Sequence, residues 1–391
     1  MRQFKTKNLE SLLKFIEENI DLKHLQQVEK LHVDSISYKK VPILPLTVTP
    51  KIDKKILFPY SEAFYDPCKM MYNEILQTCG GGSIYSSVQT KDYFPFHIRS
   101  NHGIGIIPSL FGLKCKIINN NMPWVEHVES KDEIKKIIKK GIPDFNSGLG
   151  KRVLETHQFY LEKLKDYPRC SQGIKISQPD MQGPFDIAHL MLGTDIFYLV
   201  YDDSDLLHKF LELITETYIL FRMYIDRYLT DKAAADAVYA HGGIYLGKVV
   251  IKDDTAVINL SPEMYKEFSW QYNKKIFDEF RGSLHSCGGV KEWLYDIIGD
   301  DNLLSINYGN PEMQNLQQIY EKNRENRMGI ISWGYKQDFS FLEDVFAHKI
   351  HTGMTLTCSV KSITEGKELI DDYLNKWCFS NRLSENSLFK N

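Results

Sequence analysis

The chain has 391 residues, 43% apolar, 12% aromatic and 25% charged. This ordinary globular composition sets aside disorder, collagen-like repeats and disulfide scaffolds. Lys and Arg number 48 against 51 Asp and Glu, a net charge of −3, with no basic face or tail of the kind a nucleic-acid binder carries. No run of 18 apolar residues predicts a membrane span, and residues 1–10 are polar, without an apolar signal core. Seven cysteines without regular spacing point to reduced thiols in a cytoplasmic enzyme.

In chain order, Leu9, Leu12, Leu13, Phe15, Ile16, Ile20 and Leu22 recur near helical spacing, predicting an amphipathic helix over 8–30. Residues 1–40 are therefore read as a helical extension and 41–391 as the main body. The apolar run 41–48, interrupted by Pro45, predicts the first strand. A helix over 67–79 follows, stopped by Gly80, Gly81 and Gly82. Residues 93–118 are rich in Gly and aromatics and read as strands and loops with short helical pieces. Strands are then predicted at 174–178 and ending at 238–240, with helices from 186, over 206–229 and over 262–280. Four short β runs close the chain, at 282–285, 303–307, 328–333 and 353–357, each followed by a helical segment. That rhythm is a parallel βα array, and a (β/α)8 barrel is the expected fold, with a doubly wound open sheet as the alternative.

Several chemistries are absent. Gly103 and Gly105 are followed by Ile106, Ile107 and Pro108 rather than by a dinucleotide fingerprint, and Gly150-Lys151 runs into Arg152 without a phosphate loop. No serine-hydrolase elbow or zinc-protease helix motif occurs. The informative stretch is His285-Ser286-Cys287-Gly288-Gly289, where a predicted strand gives way to a helix, the end of a barrel strand at which active sites are assembled. Cys358 lies 71 residues later (358 − 287), just past the last predicted strand. One His and two Cys make a three-ligand zinc set with a position left open for substrate; the plain alternative is two buried thiols and a core histidine. Asp180 and Asp186 flank Gly183-Pro184 past another strand end, which brings a carboxylate and Gly183 to the mouth. Asp253-Asp254 are candidates for a cation or ligand, His241-Gly242-Gly243 for close backbone approach to one, and Arg99 for gripping a carboxylate. His348 and His351, late on a helix, read as surface residues.

These segments resemble a known family. Gln178-Pro179-Asp180-Met181-Gln182-Gly183-Pro184-Phe185-Asp186-Ile187-Ala188, then Asp253-Asp254 with Ser261-Pro262-Glu263-Met264-Tyr265, then His285-x-Cys287-Gly288, are similar to the uroporphyrinogen decarboxylase superfamily. The similarity runs through most of the chain and implies a distorted (β/α)8 barrel. One branch holds metal-free tetrapyrrole decarboxylases, whose Arg-Gln-Ala-Gly-Arg motif after the first strand is replaced here by Leu44-Pro45-Leu46-Thr47-Val48. The other holds zinc methyltransferases carrying His-x-Cys and a distant Cys, which His285, Cys287 and Cys358 match. The resemblance thus implies bound Zn2+, a methylcobalamin-type corrinoid presented by a corrinoid protein, and a small-molecule thiol such as coenzyme M as acceptor. It also implies that Asp180 or Glu263 completes the zinc shell when substrate is absent. The alternatives are a decarboxylase that takes its cations from Arg99 and Arg152, and a non-catalytic corrinoid- or tetrapyrrole-binding protein.

Overall fold

Eight short parallel strands carry the fold in this computed structural model, which describes residues 7–78, 81–234, 236–299, 302–334 and 340–388. They are β1 (Leu46–Pro50), β2 (His97–Arg99), β3 (Lys175–Ser177), β4 (Val249–Lys252), β5 (Gly282–Ser286), β6 (Leu303–Tyr308), β7 (Gly329–Trp333) and β8 (Met354–Val360). Six of them form one ladder in the order β1-β8-β7-β6-β5-β4, and β2 pairs with β3. Side chains span the two breaks. Between β1 and β2, the Asp92 carboxylate accepts from the Val48 amide at 2.5 Å and Tyr93 N donates to Leu46 O. Between β3 and β4, the Gln178 carboxamide bonds both the carbonyl and the amide of Val250, and Gln182 bridges to Lys252. Gly183 is squeezed into this second seam: a Cβ there would lie 2.8 Å from Asn273 Oδ1, so its service is close packing. The expected (β/α)8 barrel is the fold.

The helix expected over 8–30 is two, α1 (Leu9–Asn19) and α2 (Leu22–Ile36). The break falls where Asp21 turns its carboxylate onto the amide of His24 and caps the second helix. Both bury their apolar faces, Leu12, Leu13 and Ile16 among them, in the main core. Near its end α2 meets the entry ends of β7 and β8, where Ser35 Oγ donates to Met354 O and Tyr38 Oη to Met328 O. The helix predicted from 67 ends at Leu76; Cys79 and Gly80 lie outside the described residues. The helix from 186 begins at Pro184. The core is completed in part by α3 (Gly148–Leu164) and by α4 (Ser204–Ile225), the latter shorter than the 206–229 expected.

One strand assignment needs correction. Residues 238–240 are not a barrel strand. Ala237–Ala240 and Gly243–Leu246 form an antiparallel hairpin that turns through His241 and Gly242, both at positive φ, 38° and 82°. The true fourth strand is Val249–Lys252, hidden in the sequence because three short β runs follow each other within sixteen residues. Leu246 bonds Ser283 and Ser305 of β5 and β6, and Gly242 N donates to His97 Nε2 of β2. The hairpin therefore projects among the strands and carries His241 to them.

Burial of α2 has a measurable pH consequence. His32 is fully enclosed and keeps one bond, Nε2 to Tyr93 O at 2.8 Å. Burial pushes its imidazole down to about 4, the bond opposing only in part. Below pH ~6.5 the unfolded chain takes up a proton that the native chain refuses, so stability is lost by about 1.4 kcal/mol per pH unit until ~4. His32→Leu is expected to lower the melting temperature at pH 7 yet flatten its decline between pH 6.5 and 4, read by thermal scans across that range.

Candidate metal centre at the barrel mouth

The parallel register sets Lys252 of β4, His285 of β5 and Asn307 of β6 side by side. Asn307 gives its Nδ2 to Ile331 O at 2.6 Å, which turns its Oδ1 toward His285 Nδ1, 2.5 Å away. The imidazole must then carry its proton on Nδ1, leaving the Nε2 lone pair for a metal. Nε2 lies 3.3 Å from Cys287 Sγ and 3.8 Å from Asp254 Oδ1. Asp254, His285 and Cys287 each offer a ligand atom, all within 4.8 Å of one another, and this is the one group of three such donors found among the described residues.

Each donor is held from behind. Asp254 precedes α5 (Thr255–Asn259), and the buried Asp186 carboxylate accepts from the amides of Asp254, Thr255 and Ala256 at 2.7, 2.8 and 3.0 Å. Asp254 in turn accepts from Cys287 N at 2.7 Å. Asp253 points away and binds Tyr265, Ser269 and Asn273, so of this acidic pair Asp254 alone reaches the site. Gly309, after β6, admits Cys287: a Cβ there would sit 2.7 Å from Cys287 Sγ and 3.2 Å from His285 Cε1. Gly309→Ala should displace the thiol and weaken metal affinity by ~10–100-fold, as loss of a supporting contact does at metal sites, with little change in melting temperature; competition with a chromogenic chelator reads it.

The electrostatics suit a cation. Burial, and secondly the Lys252 ammonium, push His285 down, so it stays neutral. Burial and then the Asp254 carboxylate push the Cys287 thiol up to about 11. Left to itself the thiol keeps its proton at neutral pH, whereas a divalent metal would be met by a thiolate, a neutral imidazole and a carboxylate. The donor set fits zinc, which takes S, N and O ligands together.

Beside the donor group, Lys252 Nζ lies 2.7 Å from Asp180 Oδ1 and Arg99 Nη2 3.3 Å from Asp180 Oδ2, all three side chains buried. Burial alone would raise Asp180, but Lys252 and then Arg99 hold it down to about 2. The backbone of Arg99 is set by Glu74, whose Oε2 accepts its amide at 3.3 Å. His241 stands edge-on to His285, ring centroids 4.7 Å apart.

Of the residues singled out in the sequence, His285 and Cys287 come together as expected, and Asp254 joins them. Arg99 and Asp180 meet each other beside them. Gly183 and Gly243 serve packing; a Cβ on Gly243 would lie 2.9 Å from Ile331. Cys358 is placed differently. It lies inside β8, not beyond it, and pairs in register with Val48. Val48 and, two residues on from Cys358, Val360 both approach Gly366 of the outer helix layer, so strand alternation turns Cys358 toward the same apolar layer. It is fully buried there and outside the donor group. His348 and His351 are exposed, as read, but lie past the helix that ends at Ala347 rather than on it. Lys252, Asn307 and Gly309 escaped the sequence reading; the one available signal was the nearness of Lys252 to Asp253-Asp254.

An eight-stranded parallel βα barrel with metal donors and buried charges at the carboxyl ends of its strands is the architecture of a barrel enzyme. Residues 97–309 match the profile of the family described as uroporphyrinogen decarboxylase (URO-D). The chain belongs to that family. Among solved structures it is similar to a methyltransferase from Methanosarcina mazei, with TM-score 0.61 and 14% identity over 90% of this chain and 98% of the other. At that identity the likeness establishes the shared fold. No curated protein matches the chain. No helix among the described residues is long and apolar enough to cross a membrane.

Proposed function

We propose that this protein is a zinc-dependent methyltransferase that moves a methyl group from a corrinoid, carried by a partner protein, to a small-molecule thiol in the cytoplasm. The observation that carries the reading is the oriented donor set: His285 with Nε2 exposed to Cys287 and Asp254, fixed by Asn307. Family membership and the methyltransferase neighbour support it. Zinc bound there would hold the acceptor sulfur as a thiolate at neutral pH, the form that attacks carbon. His285 and Cys287 are the two constant ligands, and Asp254 and Cys358 compete for the third place. Asp186 positions Asp254 through three amides, and Asn307 keeps the imidazole in the right tautomer. Lys252 and Arg99, at the ends of β4 and β2, are the cations that would steer an acceptor. The decarboxylase reading is disfavoured because its two candidate cations are engaged: Arg99 with Asp180, and Arg152 stacked 4.6 Å over the Tyr65 ring.

The test supplies zinc, methylcobalamin and coenzyme M to the purified protein and follows loss of the methylcobalamin spectrum with formation of the thioether. Turnover that chelation abolishes and zinc restores is the expected result. Zinc-independent loss of carboxyl groups from a porphyrinogen, with no methyl transfer, would replace this reading by the decarboxylase.

A further inference from the structure

His241 and Gly242 close the hairpin between Ala240 and Gly243, which pair with each other, and both have positive φ, 38° and 82°. A two-residue loop with both φ values positive is a type I′ turn, and its first place favours Asn, Asp or Gly because a left-handed backbone crowds a larger side chain. A histidine there is strained. Such strain persists where the surrounding structure enforces it, and it gathers at functional sites. The surroundings do enforce it. At the base of the hairpin, Glu29 of α2 accepts from Tyr239 Oη at 2.7 Å and from the Ala234 amide at 3.1 Å. Midway, Leu246 is bonded by Ser283 and Ser305. At the tip, His97 has its Nδ1 turned to Pro95 O and takes the Gly242 amide on Nε2 at 3.1 Å. None of these bonds uses the His241 ring.

The ring is nonetheless placed. Ser283 and His285 are two residues apart on β5 and share a face, so a hairpin that meets Ser283 at Leu246 brings its tip to His285. The two imidazoles stand edge-on with centroids 4.7 Å apart, and Lys252 is the register neighbour of His285 on β4. His241 is not a further metal ligand: the donor group found among the described residues is Asp254, His285 and Cys287 without it. Its Nδ1 is buried and meets no partner among the described residues, while the residue keeps part of its surface open. Nε2 is therefore the nitrogen that a bound molecule can reach. Burial holds the imidazole neutral, so it has one proton to give. A buried bare N–H is the costlier orphan, which assigns that proton to Nε2.

We propose that His241 is a specificity residue of this site: its Nε2–H binds the tail of the thiol acceptor while the sulfur rests on the metal, so that the protein selects short thiols whose tail ends in a hydrogen-bond acceptor such as a carboxylate. The proposal rests on the reading of the site as a thiol-binding metal centre. The metal fixes one end of the acceptor, and a donor held on a rigid hairpin tip fixes the other. A thiol without such a tail leaves the donor unanswered, which is the situation in which a polar site discriminates most steeply.

Cobalt(II) loaded in place of zinc reports thiolate binding through its visible absorption, without turnover. The loaded protein is titrated with 3-mercaptopropionate and with 1-propanethiol, which has the same chain length and no carboxylate. Wild type should bind the first more tightly by about tenfold or more, the worth of a hydrogen bond to a charged group. His241→Gly suits the type I′ turn and removes the ring; it should bind 3-mercaptopropionate about tenfold more weakly and keep its affinity for 1-propanethiol and for cobalt. His241→Asn places its amide where Nδ1 was and stops short of Nε2, so it should show the same selective loss. Asn being the residue the turn favours, that variant should melt no lower than wild type. Equal affinity of wild type for the two thiols overturns the assignment, as does a preference that survives in both variants. Equal loss of both thiols in the variants, which a deformed site would give, overturns it too. Wild-type protein that takes up no cobalt, or whose cobalt spectrum neither thiol changes, fails the thiol-binding metal centre itself and the assignment with it.

Discussion

Loss of Cys287 or His285 is expected to abolish zinc binding, because each removes a ligand outright and leaves the other donors too few to hold a metal. Cys287→Ala and His285→Ala should each weaken affinity by well over the ~10–100-fold that removing a supporting hydrogen bond costs, and Asn307→Ala should fall inside that range. Equilibrium competition with a chelator, followed by metal analysis, measures all three. The same experiment assigns the third ligand. Asp254 lies with His285 and Cys287, whereas Cys358 sits in the apolar layer beside Val48. On the arrangement described here, Asp254→Asn loses zinc and Cys358→Ser keeps it. The opposite outcome would mean that the end of β8 turns over when metal binds and brings Cys358 inward, the ligand set that the resemblance implies.

The largest expected effect on stability comes from the buried charges beside that site. Lys252→Met leaves the Asp180 carboxylate, 4% exposed, with Arg99 as its remaining partner at 3.3 Å. Breaking a buried pair by removing one member costs about 3–5 kcal/mol, because the other charge stays out of water. Urea unfolding at pH 7 should show that loss, and Lys252→Met combined with Asp180→Asn should recover much of it. The pH dependence follows in sign. Asp180 is held at about 2 against burial, below its ordinary value of about 3.9 in an unfolded chain. Its contribution is therefore complete above about pH 4 and disappears as pH falls toward 2. Wild type should lose more stability than Asp180→Asn across that window. Equal slopes would show that Lys252 and Arg99 do not hold the carboxylate as described.

Much of the architecture was legible from one sequence because it is local. The βα rhythm after residue 282 follows from apolar runs of four to six residues punctuated by Gly, Pro and Asp, and each of the four predicted runs is a strand within two or three residues at either end. His285-x-Cys287 was legible for the same reason: a strand end carries both donors within three residues. Whatever depended on the register between distant strands was not. Asp254 joins His285 only because β4 and β5 pair in parallel and Asp186 seizes the start of α5. Lys252 meets Asp180 only because β3 and β4 end side by side. Gly309 is required by a thiol 22 residues earlier in the chain. Cys358 shows the limit most clearly. A strand end set three residues short put it at the mouth, whereas β8 continues past it and turns it, with Val360, toward the helix layer. Composition, the barrel and the His–Cys pair are properties of the chain read in order; the third ligand and the ion pair exist only where strands far apart in sequence are brought side by side.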